Sequence, residues 1–277
     1  MKKNLRVLIV LFINFILKIN VNLAIHLSTF VSTLLYGKKI SSHFDGEDWI
    51  YKWNKSAIVT DQPLYSPKTV EGLKSLFFFD YHPALNDIIF NIGTQNGLEI
   101  ETFCEKVGPH GKVYAIEPNP DCCRRLKKLQ QTLNLNNLVI LECAIGENEK
   151  DVMLSNSQSS IVGQIINEDV SNNEEHFKVN QISFDKIIQQ YEIKKIDYVK
   201  VNIEGYETNF LEGYKDLQPK VKNFCIGCHD FLSPPQKTFD TVKSWLVKND
   251  YQINFYKNDK KLEIWEKYYI YGRSKTE

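Results

Sequence analysis

The sequence predicts an α/β protein: a Rossmann-like sheet, mostly parallel, of seven strands with one antiparallel, preceded by a hydrophobic helical extension. Three observations carry this. Asp87–Gly97 reads as a short strand running into a glycine turn and then a helical pattern. From there to residue 271, apolar strand-like runs alternate with helical periods and end in a hairpin pattern. Residues 1–37 stand apart as a nearly continuous apolar stretch. The expected organisation is a hydrophobic segment at 1–37, a connector at 38–85, the α/β domain at 86–271 and a tail at 272–277.

The opening unit is the most informative. Ile88-Ile89-Phe90 has the β-branched and aromatic content of a buried strand, and Gly93 and Gly97 follow before a helical pattern from Leu98 to Cys104. Glycine lets main chain lie directly against a ligand, and a helix N-terminus beyond the turn offers free N–H groups. Gly111–Pro120 gives a second strand ending at Glu117, about 20 residues past the turn, where a carboxylate can accept from two ribose hydroxyls. The glycines do not form Gly-x-Gly-x-x-Gly, so a dinucleotide is disfavoured and S-adenosylmethionine fits better.

The remaining elements follow in order. The connector carries aromatics, Trp49, Tyr51 and Trp53 among them, expected to cap the sheet edge, and a short helix over Val70–Phe78. Asp121–Leu133 is helical, with Leu126, Leu129 and Leu133 on one face. Leu138–Leu141 is a strand, Val152–Leu154 a short one, and Ser155–Gln181 a polar, loop-rich stretch. A helix at Phe184–Tyr191 precedes strands at Ile196–Asn202 and Val221–Ile226. Thr238–Val247 is an amphipathic helix, and Tyr251–Tyr256 and Lys261–Tyr271 close the sheet around a turn at Asn258-Asp259.

The 34 basic and 34 acidic residues cancel, which excludes bulk nucleic-acid binding. The six cysteines belong to a large α/β chain and read as reduced buried thiols rather than a disulfide framework. Cys225-Ile-Gly-Cys228-His229 is the single Cys-x-x-Cys, and a closed zinc site needs four ligands, so no metal is expected. In the N-terminal segment Lys18 and His26 interrupt the apolar run. A secretory signal lacks its cleavage site here, and a spanning helix would bury both polar groups. A helix lying in the bilayer interface tolerates them. The expectation is membrane association, with the domain on the cytoplasmic face where S-adenosylmethionine is made.

In this setting the chain resembles the FkbM-type S-adenosylmethionine-dependent methyltransferases over roughly Asp87–Ile226. The resemblance rests on Phe90–Gly97, Val113–Pro120, Ala144–Gly146, Ile182–Asp185 and, most specifically, Ile196–Glu207. It implies the class I methyltransferase form of the sheet and methylation of a hydroxyl on a glycan, glycolipid or similar small acceptor. It also implies that Asn91, Gly93, Thr94 and Gly97 border the methionine end of the cofactor. Glu117, with Pro118 and Asn119 beside it, would take the ribose, and Glu142, Cys143 and Ala144 would flank the adenine. Donor and acceptor would meet at Asn202–Glu207.

The chain departs from the family pattern at Asn91 and Asn202, where Asp is usual, and at Gly227–Asp230. A neutral Asn202 cannot be a base. Methyl transfer to a hydroxyl needs alignment and an acceptor for the departing proton. Glu204 and His229 are the candidates, with Asp230 a possible partner for His229. The alternative reading is a catalytically impaired domain serving as a membrane-tethered binding module.

Overall fold

The computed structural model describes residues 3–65, 67–156, 165–166, 175–231, 237–256 and 264–275. The apolar N-terminus does not continue as one helix. It breaks at Lys18–Asn20 into α1 (Lys3–Leu17) and α2 (Val21–Tyr36), which pack as a hairpin. Asn20 caps α2 by accepting from the Leu23 N–H, and Gly37 ends it in the left-handed conformation. Among the described residues, no helix is long and apolar enough to cross a membrane, which removes the spanning form of the sequence expectation.

The connector holds more structure than its composition suggested. Strands β1 (Ser41–Phe44), β2 (Trp49–Trp53) and β3 (Ser56–Thr60) form an antiparallel sheet, followed by helix α3 (Pro67–Phe77). Trp49, Tyr51 and Trp53 alternate inward along β2, against the small buried face Ala24, Ser28 and Ser32 of α2. Ser28 Oγ and Tyr51 Oη share a hydrogen bond of 2.9 Å. Trp49, Tyr51 and Trp53 therefore form a core of their own, whereas Phe77, Phe78, Phe79 and Tyr81 of the same connector pack on the large sheet as expected.

Beyond it lie β4 (Ile88–Ile92), α4 (Ile100–Val107), β5 (Lys112–Ile116), α5 (Pro120–Leu133), β6 (Leu138–Leu141), β7 (Ala144–Ile145), β8 (Lys150–Asn156), β9 (Ile165–Ile166) and β10 (Glu175–Ile182). Then come α6 (Phe184–Gln190), β11 (Ile196–Val201), α7 (Glu207–Glu212), β12 (Val221–Gly227), α8 (Thr238–Lys248), β13 (Tyr251–Phe255) and β14 (Tyr269–Ser274). The main sheet has seven strands in the order β13-β14-β12-β11-β4-β5-β6, and β14 alone runs antiparallel to its neighbours. The chain leaves β4 toward β5 and later returns on the other side at β11. The carboxyl ends of β4 and β11 therefore bound the topological switch point, where such sheets open a crevice. Two layers of apolar side chains cover the sheet faces, one on each side.

Three differences from the sequence reading have local causes. Residues 175–182 form β10, which pairs with β7 and β8, because alternating Phe177 and Val179 supply an apolar side to an otherwise polar stretch. The final strand begins at Tyr269, after a 3₁₀ turn over Trp265–Tyr268. The expected hairpin turn at Asn258-Asp259 lies outside the described residues.

The N-terminal sheet is fastened to helix α5 by a cluster of acids, of which Asp48 is the buried centre. Asp48, in the β1–β2 turn and fully buried, meets Arg125 Nε at 2.9 Å, Arg124 Nε at 3.1 Å and Lys128 Nζ at 2.6 Å, all on α5. Burial alone would raise its pKa, but the hydrogen bonds from Arg124, Lys128 and Arg125 prevail and hold it at about 2. On the opposite side, the Tyr198 and Tyr271 hydroxyls donate to the carbonyls of Phe77 and Leu76 at the end of α3.

Candidate active site

At the end of β4 the chain must turn within one residue of β11. Gly93 adopts φ +74°, and a Cβ there would lie 2.0 Å from the carbonyl oxygen of Asn202. No other residue fits. Lys200, buried in β11, braces the same turn from beneath: its Nζ donates to the Gly93 carbonyl at 2.9 Å and pairs with Glu99 Oε1 at 3.1 Å. Phe77 covers the ammonium from the other side.

Above this turn lies a cavity lined by Ile92, Gly93 and Gln95 on one side and by Glu117, Pro118 and Asn119 on another. Cys143, Ala144, Ile145 and Leu154 make an apolar wall. Glu117 is buried, and its two carboxylate oxygens accept from the main-chain N–H groups of Gln95 at 2.7 Å and Asn119 at 2.9 Å. These bonds fix its orientation and leave lone pairs free for hydroxyl donors. Burial raises its pKa above the usual carboxylate value, with the two N–H bonds and Lys200 opposing.

A second cavity, of about 580 Å³, adjoins the first and shares with it Gly93, Gln95, Asn202 and Glu204. Its far wall comes from the N-terminal unit, through Arg6, Thr60, Gln62 and Tyr65, and its floor from Lys200, His229 and Tyr269. In it His229 stands between two carboxylates. Nδ1 lies 2.6 Å from Glu207 Oε1, and Nε2 lies 3.4 Å from Glu204 Oε2. Burial would lower the imidazole pKa, but the hydrogen bond and charge of Glu207, with the charge of Glu204, outweigh it and raise the pKa above the ordinary histidine value. Burial likewise raises the Glu204 carboxyl, against the pull of His229.

Several residues stand elsewhere than the sequence suggested. Glu142, expected beside the base ring, turns outward and pairs with Lys127 on the surface; it borders neither cavity. Gly97 borders neither as well: a Cβ there would meet Leu126 Cδ2 at 2.5 Å, so its bareness admits α5. Asn91 lies behind the turn, donating from Nδ2 to Glu99 at 2.9 Å. Thr94 faces the second cavity, with its hydroxyl given to the Asn91 carbonyl. Asn119 is the N-cap of α5 as well as a cavity residue. Helix α4 starts only at Ile100, and the N–H of Gln95, which lines the first cavity, is already bonded to Glu117. Asp230 does not reach His229; it accepts from Thr238 and Phe239 and caps α8. Cys225 and Cys228 pack in opposite layers of the core.

Reasoning from sequence missed Glu99, Lys200 and Tyr269, and it placed Glu207 in the Asn202–Glu207 loop without its link to His229. Glu207 and Lys200 lie inside the Ile196–Glu207 segment, and a lysine amid a buried strand was the available signal. Tyr269 donates to Asn202 Oδ1 at 2.9 Å from the other end of the chain, and no local pattern announces it.

The family model for the "Methyltransferase FkbM domain" matches residues 91–253. The chain belongs to the FkbM methyltransferase family. It is 24% identical over 153 residues to the hexuronic acid methyltransferase AglP of Haloferax volcanii, a match covering 55% of this chain and 60% of that relative. It is similar in fold to the crystal structure of methyltransferase FkbM from Methylobacillus flagellatus, with TM-score 0.52 and 15% identity over 75% of this chain and 50% of that one. The chain thus spans less than two thirds of each. As an FkbM methyltransferase it uses S-adenosylmethionine. The first cavity fits that group: the Gly93 hollow admits no side chain, Glu117 can take vicinal hydroxyls, and the Cys143–Ile145 wall suits a base ring.

Proposed function

We propose that this methyltransferase O-methylates a hydroxyl group of a glycan or glycolipid held in the second cavity. The observation that carries the reading is the shared wall. Gly93, Gln95, Asn202 and Glu204 border both cavities, so a hydroxyl in one can approach a methyl group in the other. When bound, S-adenosylmethionine supplies an electrophilic methyl carbon, whose transfer to oxygen leaves a neutral thioether.

The chain's own residues position the acceptor and take its proton. Thr60, Gln62 and Gln95 offer hydrogen-bonding groups, and Tyr65 and Phe231 offer aromatic faces, a combination suited to a sugar ring. Arg6 at the rim adds a cation that an acidic sugar would use, in keeping with the relative that acts on a hexuronic acid. Glu207, fully buried, holds the imidazole through Nδ1 and leaves Nε2 toward Glu204. The hydroxyl proton passes to the Glu204–His229 pair, which titrates as a unit.

The impaired-module reading draws on Asn91 and Asn202, but Asn91 Nδ2 donates to Glu99 and Asn202 Oδ1 accepts from Tyr269. An Asp at 91 would set a second carboxylate 2.9 Å from Glu99. The Asn91→Asp, Asn202→Asp double variant is therefore expected to lose activity, and a large gain would favour an impaired site instead. The direct test is transfer of labelled methyl to a panel of uronate-bearing and neutral glycans and glycolipids. Label appearing as an alkali-stable methyl ether supports the reading. Cofactor binding by calorimetry with transfer to none of them, but only to amine or carbon acceptors, overturns it.

A further inference from the structure

We infer that the α1–α2 hairpin is an in-plane docking face for the surface of an anionic lipid bilayer. Of the large hydrophobic side chains exposed among the described residues, eleven of sixteen fall between Leu5 and Leu34. Such crowding is not the ordinary scatter of surface apolar groups. On α1 the exposed residues Leu5, Leu8, Phe12 and Phe15 recur at helical spacing, each more than half accessible. Ile9, Ile13 and Ile16 face the other way, into the N-terminal core. On α2, Phe30 and Leu34 continue the outer face, opposite its buried Ala24, Ser28 and Ser32. Both helices thus have one face already used in folding and a second apolar face left uncovered.

Charge selects the occupant. Residues 1–44 contain Lys2, Lys3, Arg6, Lys18, Lys38 and Lys39 and not one Asp or Glu. In a protein whose total charge is zero, the whole hairpin is cationic. A second copy would bring like charges together, whereas anionic headgroups complement them. Lys18, in the bend between the helices, can extend its ammonium to the headgroups while the neighbouring Phe15 and Ile19 enter the acyl region. The helices are too short and too polar at the bend to span, which fits docking in the plane. Arg6 of α1 also borders the second cavity, so docking sets that cavity beside the bilayer. A lipid-linked acceptor would then be reached without leaving the surface; that consequence rests on the acceptor reading above, and the docking does not.

The test uses the full chain and sedimentation with vesicles of phosphatidylcholine, with and without phosphatidylglycerol, and needs no methyl transfer. Binding is expected to vesicles containing phosphatidylglycerol, to weaken with salt, and to fall about tenfold or more in Phe12→Asp, Phe15→Asp. Cofactor affinity in that variant should be unchanged, since neither residue borders a cavity. Hydrogen exchange of the unaltered chain supplies a second readout: vesicles should protect residues 3–36 selectively. Absence of binding to both vesicle types, or protection located elsewhere, overturns the proposal. So does sedimentation of a stable dimer that the same substitutions dissociate while vesicles bind neither form.

Discussion

The two cavities are made of different material. The cofactor cavity is anchored on main chain, at the Gly93 turn and at an acid fixed by two backbone N–H groups, with apolar side chains such as Ile116, Ile145 and Leu154 closing it. The second cavity, proposed above to hold the acceptor, is a meeting of long side chains from widely separated parts of the chain, from Arg6 and Tyr65 to His229 and Tyr269. A backbone-built site depends on local dihedral angles, and a short motif encodes it. A side-chain-built site depends on which distant elements pack together. The first suits a ligand common to a family, and the second suits a ligand peculiar to one member.

That contrast can be broken most sharply at His229. His229→Ala should lower kcat by about 10²–10⁴-fold while cofactor affinity measured by calorimetry stays the same. An equal loss of cofactor binding would mean that the two cavities are not functionally separable. Glu207→Gln refines the point. Removing the carboxylate removes what raises the His229 pKa, so the acid limb of the kcat/KM–pH profile should shift downward from its position above the ordinary histidine range. If the Glu204–His229 pair takes the proton, the native chain should lose activity as pH falls through that limb, because the protonated pair could accept nothing more.

Asp48→Ala is expected to cost about 2–4 kcal/mol in denaturant unfolding, since three cations lose a buried partner. Because the far wall of the acceptor cavity rides on this attachment, acceptor KM should suffer more than cofactor affinity. The Asp48 contribution is present above the ordinary Asp value and is lost as pH falls from about 4 toward about 2. Gly93→Ala acts on the other cavity. A left-handed φ costs a side-chain-bearing residue about 1–2 kcal/mol before any clash with Asn202 is counted. Calorimetry should show weakened cofactor binding, and native-like affinity would disprove the tight-turn argument. At the small end, Glu142→Ala removes only an exposed ion pair with Lys127, and cofactor affinity should not change. A marked loss would return Glu142 to the adenine wall.

What could be read from the sequence follows the same division. The strand–turn–helix signal at Ile88–Gly97 and the acid at Glu117 are local, and they located the switch point and the main sheet. Glu142 misled because a position at a strand end does not reveal which way a side chain turns. The β1–β3 sheet escaped because alternation along 41–60 is short and its inward aromatics look like surface caps until α2 is placed against them. The link between His229 and Glu207 joins residues 22 apart, on β12's exit and on α7, so no spacing rule could have supplied it. Asp230, adjacent in sequence, was the plausible wrong partner.

The strip of backbone and side chains common to both chambers has a consequence for how such a protein changes its target. Any replacement at Gly93, Gln95, Asn202 or Glu204 is felt on both sides of the partition, so a new preference gained there carries a penalty in donor use. The N-terminal unit, by contrast, contributes Thr60 at the end of β3 and Gln62 and Tyr65 just beyond it to one chamber alone. New specificities should accumulate on that detachable wall, as they do on the loops of an antibody, while the partition stays still.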